Sequence, residues 1–264
     1  MEHAYASLNL GAVPKSYRHA QQSSEWPRWD SACKAELAKL KSFETFEVVE
    51  LPAGRKALPC HFVFTKKWDA HLQEFVYKAR LVARGDLQQE GIDYNETWAP
   101  VARFETISAM LAIGNSHSLL MHHMDVGSAF LNSHMEPGED IYMELPPGFE
   151  HTSVHNTHSV AHLKRALYGL KQAPRYWNKT LDAYLKKEGY LALHSDSCVY
   201  TKGSLKNGTF QCLVVFVDDF IVMSSNEYLL AGAKAMLKRE YQMHDLGPVT
   251  HYVGFDIERL CLYL

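Results

Sequence analysis

Asp218 and Asp219 stand side by side inside an otherwise apolar stretch, with Leu213 to Val217 before them and Phe220 to Met223 after. A short apolar run rich in Val and Phe reads as a buried strand. Two carboxylates at the rim of such a hairpin suit a hard divalent cation, because such ions prefer oxygen ligands. A third acid, Asp125, ends the apolar stretch Met121 to Val126. Three carboxylates converging on one sheet edge would hold two Mg²⁺ ions ~3.5–4 Å apart, an arrangement that moves phosphoryl or nucleotidyl groups. The plainer alternative is a hairpin tip, since Asp tolerates turn geometry. Spacing alone does not join the acids, because 93 residues separate Asp125 from Asp218.

The elements that must position these acids follow from periodicity. Trp26, Trp29, Cys33, Leu37 and Leu40 predict an amphipathic helix over 26–43, after a polar, irregular start over 1–24. Strands are expected over 46–51, 60–68 and 75–83, the last two joined by a hairpin loop at 69–74. A helix is expected over 104–115 and a strand over 119–126. A short strand over 141–145 precedes a polar loop at 151–159. Pro174 opens a helix whose buried face carries Trp177, Leu181, Tyr184 and Leu185. A strand over 198–201, the turn signal Lys206-Asn207-Gly208 and the central hairpin over 209–225 follow. Ser224 with Glu227 fits a capping box for the next helix. Leu246-Gly247-Pro248 breaks that helix, and 251–257 reads as a final strand. The pattern is α+β, an antiparallel sheet with helices packed on one face.

Composition narrows the classes. The chain has 264 residues, 47% hydrophobic and 22% charged, which suits a globular protein with a sizeable core. No apolar run reaches the ~18 residues of a membrane span, and no signal peptide is visible. Five scattered cysteines without C-x-x-C spacing argue for reduced thiols in an intracellular protein and against zinc. The formal charge of −3 conceals two basic segments: seven Lys/Arg between Arg55 and Arg84, and seven between Lys164 and Glu188. They suit a groove that tracks phosphates, or two solvated faces. His151, His155, His158 and His162 have ligand-like spacing but fall in a Ser/Thr/Asn-rich connection, so they are read as loop. His122 and His123 are read as strand residues flanking the acids.

Several blocks then share one order: Lys78-Ala-Arg-Leu-Val-Ala-Arg-Gly85, Gly91 to Thr97, His123-Met-Asp-Val126 with Phe130-Leu-Asn132, Ile141 to Met143, Leu167-Tyr-Gly-Leu-Lys-Gln-Ala-Pro174, Asp196 to Tyr200, Phe216 to Asp219 and Tyr252-Val-Gly-Phe-Asp-Ile257. In this order they resemble the reverse transcriptase of copia-type (Pseudoviridae-like) long-terminal-repeat retrotransposons, over roughly 14–259. The resemblance implies a right-hand polymerase fold: an N-terminal segment over 1–13, fingers over 14–118 and a palm over 119–264. It implies an RNA-directed DNA polymerase taking deoxynucleoside triphosphates and an RNA or DNA template with primer, using Mg²⁺ or in its place Mn²⁺. Asp125 and Asp218 would bind the metals and Asp219 would support them. Phe130 would be the aromatic gate beneath the sugar. Lys78 or Arg80 would meet the triphosphate, Tyr168-Gly169 would lie at the templating pair, and Tyr252-Val253-Gly254 would grip the primer. An ordinary core Phe, strand-surface charges and an edge strand are the structural alternatives for Phe130, Lys78/Arg80 and Tyr252.

The resemblance also implies a cytoplasmic, virus-like-particle or nuclear setting, without a membrane partner; it leaves the oligomeric state open. Asp86 stands where the family has an aromatic residue, Ser133 where it has Gly, and Phe216 where many members have Tyr. A decayed or domesticated copy that binds nucleic acid without catalysis is one rival, and a metal-dependent nuclease another. The family's thumb and ribonuclease H domain do not follow within this sequence, so a truncated gene copy with weak duplex binding and short products is expected.

Overall fold

A computed structural model describes residues 12–69, 72–149 and 159–258. In chain order the first elements are α1 (Tyr17–Gln21), α2 (Trp26–Ser42), β1 (Phe46–Glu50), β2 (Cys60–Asp69) and β3 (Glu74–Ala83). Next come α3 (Phe104–Ser116), β4 (Leu120–Val126), β5 (Tyr142–Met143), β6 (Ser159–Leu163), α4 (Ala173–Lys187), β7 (Leu191–Ala192) and β8 (Val199–Lys202). The chain continues through β9 (Gln211–Phe216), β10 (Asp219–Ser224), α5 (Glu227–Glu240), β11 (Met243–Pro248), β12 (His251–Tyr252) and β13 (Phe255–Asp256). They form two compact units, each made of two stretches of chain: Met1–Thr97 with His134–Ala173, and Trp98–Ser133 with Pro174–Leu264.

In the first unit β2 and β3 pair as a long antiparallel hairpin, and β1, β6 and β5 form a separate small sheet. One hairpin face packs on α2, where Trp29 meets Phe64 and Tyr77 with ring centroids 5.2 and 4.6 Å apart. The buried Glu36 of α2 accepts the Leu81 N–H at 3.1 Å. That bond satisfies a backbone donor which would otherwise be buried without a partner. Lys66 is also buried on this face; its ammonium reaches Glu25 at 2.6 Å and lies over the rings of Phe75 and Tyr77.

The segment after β6 lies backbone-to-backbone against the end of β3. Ala83 N–H donates to the Tyr168 carbonyl at 2.8 Å. A Cβ added at Gly85 would sit 1.9 Å from the Gly169 oxygen, and one at Gly169 2.1 Å from the Ala83 oxygen. Gly169 also has φ +92°, a conformation that side chains disfavour. Beside this crossing runs a buried polar chain. Gln88 donates to Gln172 (3.0 Å), and Gln172 donates to the Asp93 carbonyl (2.8 Å) and to Glu139 (3.2 Å).

The second unit is built on a six-stranded antiparallel sheet in the order β11-β4-β10-β9-β8-β7. Alternation divides its core. Met124, Val126, Leu213, Val215, Phe220 and Val222 pack with Trp177 and Leu181 of α4 and Leu230 and Leu237 of α5. Met121, Cys212, Val214, Ile221 and Met223 pack with Ile107 and Met110 of α3. The expectation of helices on one face is therefore corrected: α4 and α5 cover one face and α3 helps cover the other. The physical reason lies in β9 and β10, which carry apolar residues at successive positions and so need both faces covered.

Other expectations shift too. A short helix, α1, lies in the stretch read as irregular, with Ser16 as its cap. The cap of α5 is Asn226, whose side chain accepts the Leu229 N–H at 3.0 Å; Ser224 still belongs to β10. The supposed breaker Leu246-Gly247-Pro248 belongs to edge strand β11, with a bulge between Asp245 and Gly247, where Gly and Pro are tolerated. The final strand is a tight hairpin instead, with positive φ at Val253 and Gly254. Strand β6 begins where a polar loop was expected, and His162 lies in it, bonded to Glu47 and Asp140. His151, His155 and His158 lie outside the described residues.

The glycine crossing generates a stability prediction. Gly169→Ala has to displace backbone, and overpacking costs ~1–3 kcal/mol or more. Gly232→Ala, at an open position in α5, should stabilise by ~0.5–1 kcal/mol. Urea midpoints of the two variants should move in opposite directions; equal midpoints would contradict the crossing.

Candidate active site

Asp219 and Asp125 are directly paired across β10 and β4, so their side chains leave the same face of the sheet as neighbours. The row continues outward to Phe216 on β9 and His244 on β11. Asp218 adjoins it, in the two-residue turn between β9 and β10. Of the two turn residues only Val217 has positive φ, +57°. That is the pattern of a type II′ turn, whose first position normally takes Gly. A β-branched residue there is strained by ~1–3 kcal/mol and persists only where its surroundings hold it.

The surroundings do hold it, at three consecutive carbonyls. Trp177 Nε1–H of α4 donates to the Val217 oxygen at 2.7 Å. Val126 N–H of β4 donates to the Asp218 oxygen at 2.8 Å. The Tyr252 hydroxyl of β12 donates to the Asp219 oxygen at 3.1 Å. Each donor comes from a different element, so the peptide planes around the two acids are fixed by the core of the unit.

Burial pushes the Asp125 carboxyl above its ordinary value of 3.8, and the charges of Asp218 and Asp219 push it further; His244 and His123 act in the opposite direction. His123 Nε2 lies 2.8 Å from Asp219 Oδ1. An ionised carboxylate only accepts, so Nε2 carries the hydrogen. Three neighbouring carboxylates, one of them raised by burial and by the charges of the other two, are a chemically fitting donor set for a hard divalent cation. Among the described residues, however, no three His, Cys, Asp or Glu side chains are already gathered as a ligand set.

The sequence profile described as "Reverse transcriptase (RNA-dependent DNA polymerase)" matches residues 43–261. The chain belongs to that family. The "Retrovirus-related Pol polyprotein from transposon TNT 1-94" of Nicotiana tabacum is 37% identical over 255 residues, which are 97% of this chain and 19% of the polyprotein. The corresponding polyprotein from transposon RE1 of Arabidopsis thaliana is 32% identical over 250 residues, 94% of this chain and 17% of that one. A Ty1 Gag-Pol polyprotein of Saccharomyces cerevisiae is 27% identical over 229 residues, 84% of this chain and 12% of its own length. The resemblance to copia-type retrotransposon reverse transcriptases is borne out. The chain spans less than one fifth of the length of these relatives.

In this reverse transcriptase domain the other expected site residues are placed as follows. Lys78 and Arg80 are exposed on the hairpin face opposite α2. Arg80 lies over the Tyr168 ring at 4.3 Å, so these two are brought together. Gly169 is committed to the backbone crossing with Ala83 and Gly85. All four belong to the first unit, and the acids to the second. Phe130 lies in a 3-10 turn, Ala129–Asn132, half-buried against the core shared with α4 and α5. Tyr252 is fully buried beneath β10, while Val253 and Gly254 make the β12–β13 turn.

Two departures from the family pattern have local accounts. Asp86 is held by Arg84 through two bonds, 2.8 and 2.7 Å. Ser133 has φ −108°, which needs no Gly, though its hydroxyl is buried without a hydrogen-bond partner among the described residues. The sequence reading missed Trp177 as the holder of the turn, His123 as a partner of Asp219, and the Gln88–Gln172 chain. The only available signal for His123 was alternation, which puts it on the face of Asp125. Among the described residues no helix is long and apolar enough to cross a membrane.

The raised Asp125 carboxyl has a consequence for stability. A folded-state value above the unfolded one means that stability is lost as pH rises from about 3.8 through the folded value, and the penalty is complete above it. Asp125→Asn removes that penalty. It should raise Tm at neutral pH by ~2–4 °C for each kcal/mol relieved. The advantage should vanish below the ordinary carboxylate range. Melting curves between pH 3 and 8 test this, and an Asn variant less stable than the parent at neutral pH would contradict it.

Proposed function

We propose that this chain carries the nucleotidyl-transfer site of a retrotransposon reverse transcriptase. The reading rests on one observation above all: Asp219 is in register with Asp125, and Asp218 occupies the adjoining turn. In the reaction a primer 3′-oxygen bonds to the α-phosphorus of a deoxynucleoside triphosphate. The α–β phosphoanhydride bond breaks, pyrophosphate leaves, and the 3′-hydroxyl proton passes to solvent. Bound Mg²⁺, with Mn²⁺ as its substitute, supplies activation of the attacking oxygen and stabilisation of the leaving phosphate. Asp125 and Asp218 are the proposed ligands, with Asp219 in support. Their mutual repulsion favours a cation, and the three anchored carbonyls preorganise their backbone so that little rearrangement is needed.

The remaining assignments are proposals of the same reading. The exposed cations Lys78 and Arg80 would neutralise triphosphate charge, with Arg80 oriented by the Tyr168 face. Gly169 would hold that segment close to β3. Phe130 would exclude a 2′-hydroxyl. The backbone of Tyr252, Val253 and Gly254 would meet the primer, since the Tyr252 ring is buried. The fingers would run over 14–118 and the palm over 119–264. Template, primer and triphosphates are the proposed partners, in an intracellular setting.

Primer extension on a homopolymer template with Mg²⁺ tests the function. Asp218→Asn keeps size and loses charge, so extension should fall by orders of magnitude with the fold intact by circular dichroism. Retained extension in that variant would remove Asp218 from the site. Phe130→Val should lower the ratio of deoxy- to ribonucleotide incorporation. An unchanged ratio would leave Phe130 as a core residue, and because the half-buried ring also packs on the core, folding has to be checked alongside.

A further inference from the structure

His123 is the one histidine whose ring nitrogen meets an acid of the site, Asp219, among the described residues. It stands on β4 opposite Ile221, two residues before Asp125 and on the same face. Its ring is mostly buried, with 16% of the side chain exposed. Its Nε2 meets Asp219 Oδ1 at 2.8 Å along the cross-strand diagonal. Its ring lies edge-on to Tyr252, centroids 5.5 Å apart and planes 81° from parallel. Tyr252 in turn donates to the Asp219 and Val214 carbonyls, at 3.1 and 3.3 Å. Asp219 is thus held twice from one side: Tyr252 fixes its backbone, and His123, packed on Tyr252, fixes its carboxylate.

We propose that His123 is a positioning residue that sets the affinity of the acid cluster for a divalent cation by fixing the rotamer of Asp219. With Oδ1 held by His123, the Asp219 carboxylate would be presented to an ion in one orientation. A carboxylate so held loses no rotamer freedom on binding, and its repulsion with Asp125 is maintained across the strands until a cation relieves it. Partners of this kind alter metal affinity ~10–100-fold when removed. A buried histidine kept for packing alone would affect stability without affecting the ion. The inference rests on the metal-binding reading of the three acids.

Mn²⁺ binding to the protein alone, followed by the paramagnetic resonance signal of free Mn²⁺, separates the two. His123→Ala should weaken binding ~10-fold or more. His123→Gln, whose amide nitrogen can occupy the position of Nε2, should restore most of it. In an Asp219→Asn background the alanine change should have little further effect, because the group it positions is gone. If the alanine variant does not fold, His123→Leu, which fills the space without a donor, takes its place. Unchanged Mn²⁺ affinity in the donor-less variant, or an equal loss with and without Asp219, would overturn the proposal. Binding that Asp125→Asn abolishes and His123→Ala leaves intact would overturn it alone; absence of Mn²⁺ binding in the unaltered chain would overturn the metal reading with it.

Discussion

Two carboxylates directly opposite each other on neighbouring strands repel, and the second unit is arranged around that repulsion. Asp219 and Asp125 cannot separate without breaking the β10–β4 register. That register is pinned by the apolar side chains that follow it down both strands, Phe220 and Met124 towards one face, Ile221 and Met121 towards the other. A slip of one residue would send every one of them to the wrong side. The core thus holds Asp125 where its charge opposes folding: burial raises its carboxyl first, and the charges of Asp218 and Asp219 add to that.

The turn that carries Asp218 has the same character. Val217 in a left-handed conformation is a poor choice for an isolated hairpin. It is tolerated because Trp177, Val126 and Tyr252 each donate to one of three successive carbonyls. Trp177 and Tyr252 are also core residues on opposite faces of the sheet. The layers that bury the sheet are thereby the layers that shape the site. Covering only one face would leave one anchor without support.

The first unit uses a different device. Its order near Tyr168 comes from the close approach of Gly85 and Gly169 and from the Gln88–Gln172–Glu139 chain beside them. Buried amides of this kind specify one arrangement, because each mispaired donor would cost ~1–3 kcal/mol. The outcome is a fixed Tyr168 ring on which the Arg80 guanidinium rests, beside the equally exposed Lys78. Arg80 is thereby placed by a strand and a ring rather than by a loop.

Much of this was legible in the residues. The helix at 26–42, the 60–83 hairpin, the helix at 104–116 and the central hairpin follow from periodicity, since a buried face imposes a period of 3.6 or 2 wherever it occurs. The ordered blocks were enough to identify the family. Local pattern was least informative where partners lie far apart in the chain. The edge strand β11 looked like a helix stop because Gly247 and Pro248 tell nothing about a bulge until β4 lies beside them. The cover of both sheet faces depended on α3, whose own sequence does not say which face it will take. Above all, the sequence alone determined that three acids adjoin apolar strands, whereas only the tertiary structure decided that Asp219 faces Asp125, that His123 holds Asp219 and that Tyr252 lies beneath it. Strand register and hydrogen bonds between elements join residues tens of positions apart, 33 for Tyr252 and Asp219 and 96 for His123 and Asp219, and the energies that select them are properties of the packed core, not of any local window.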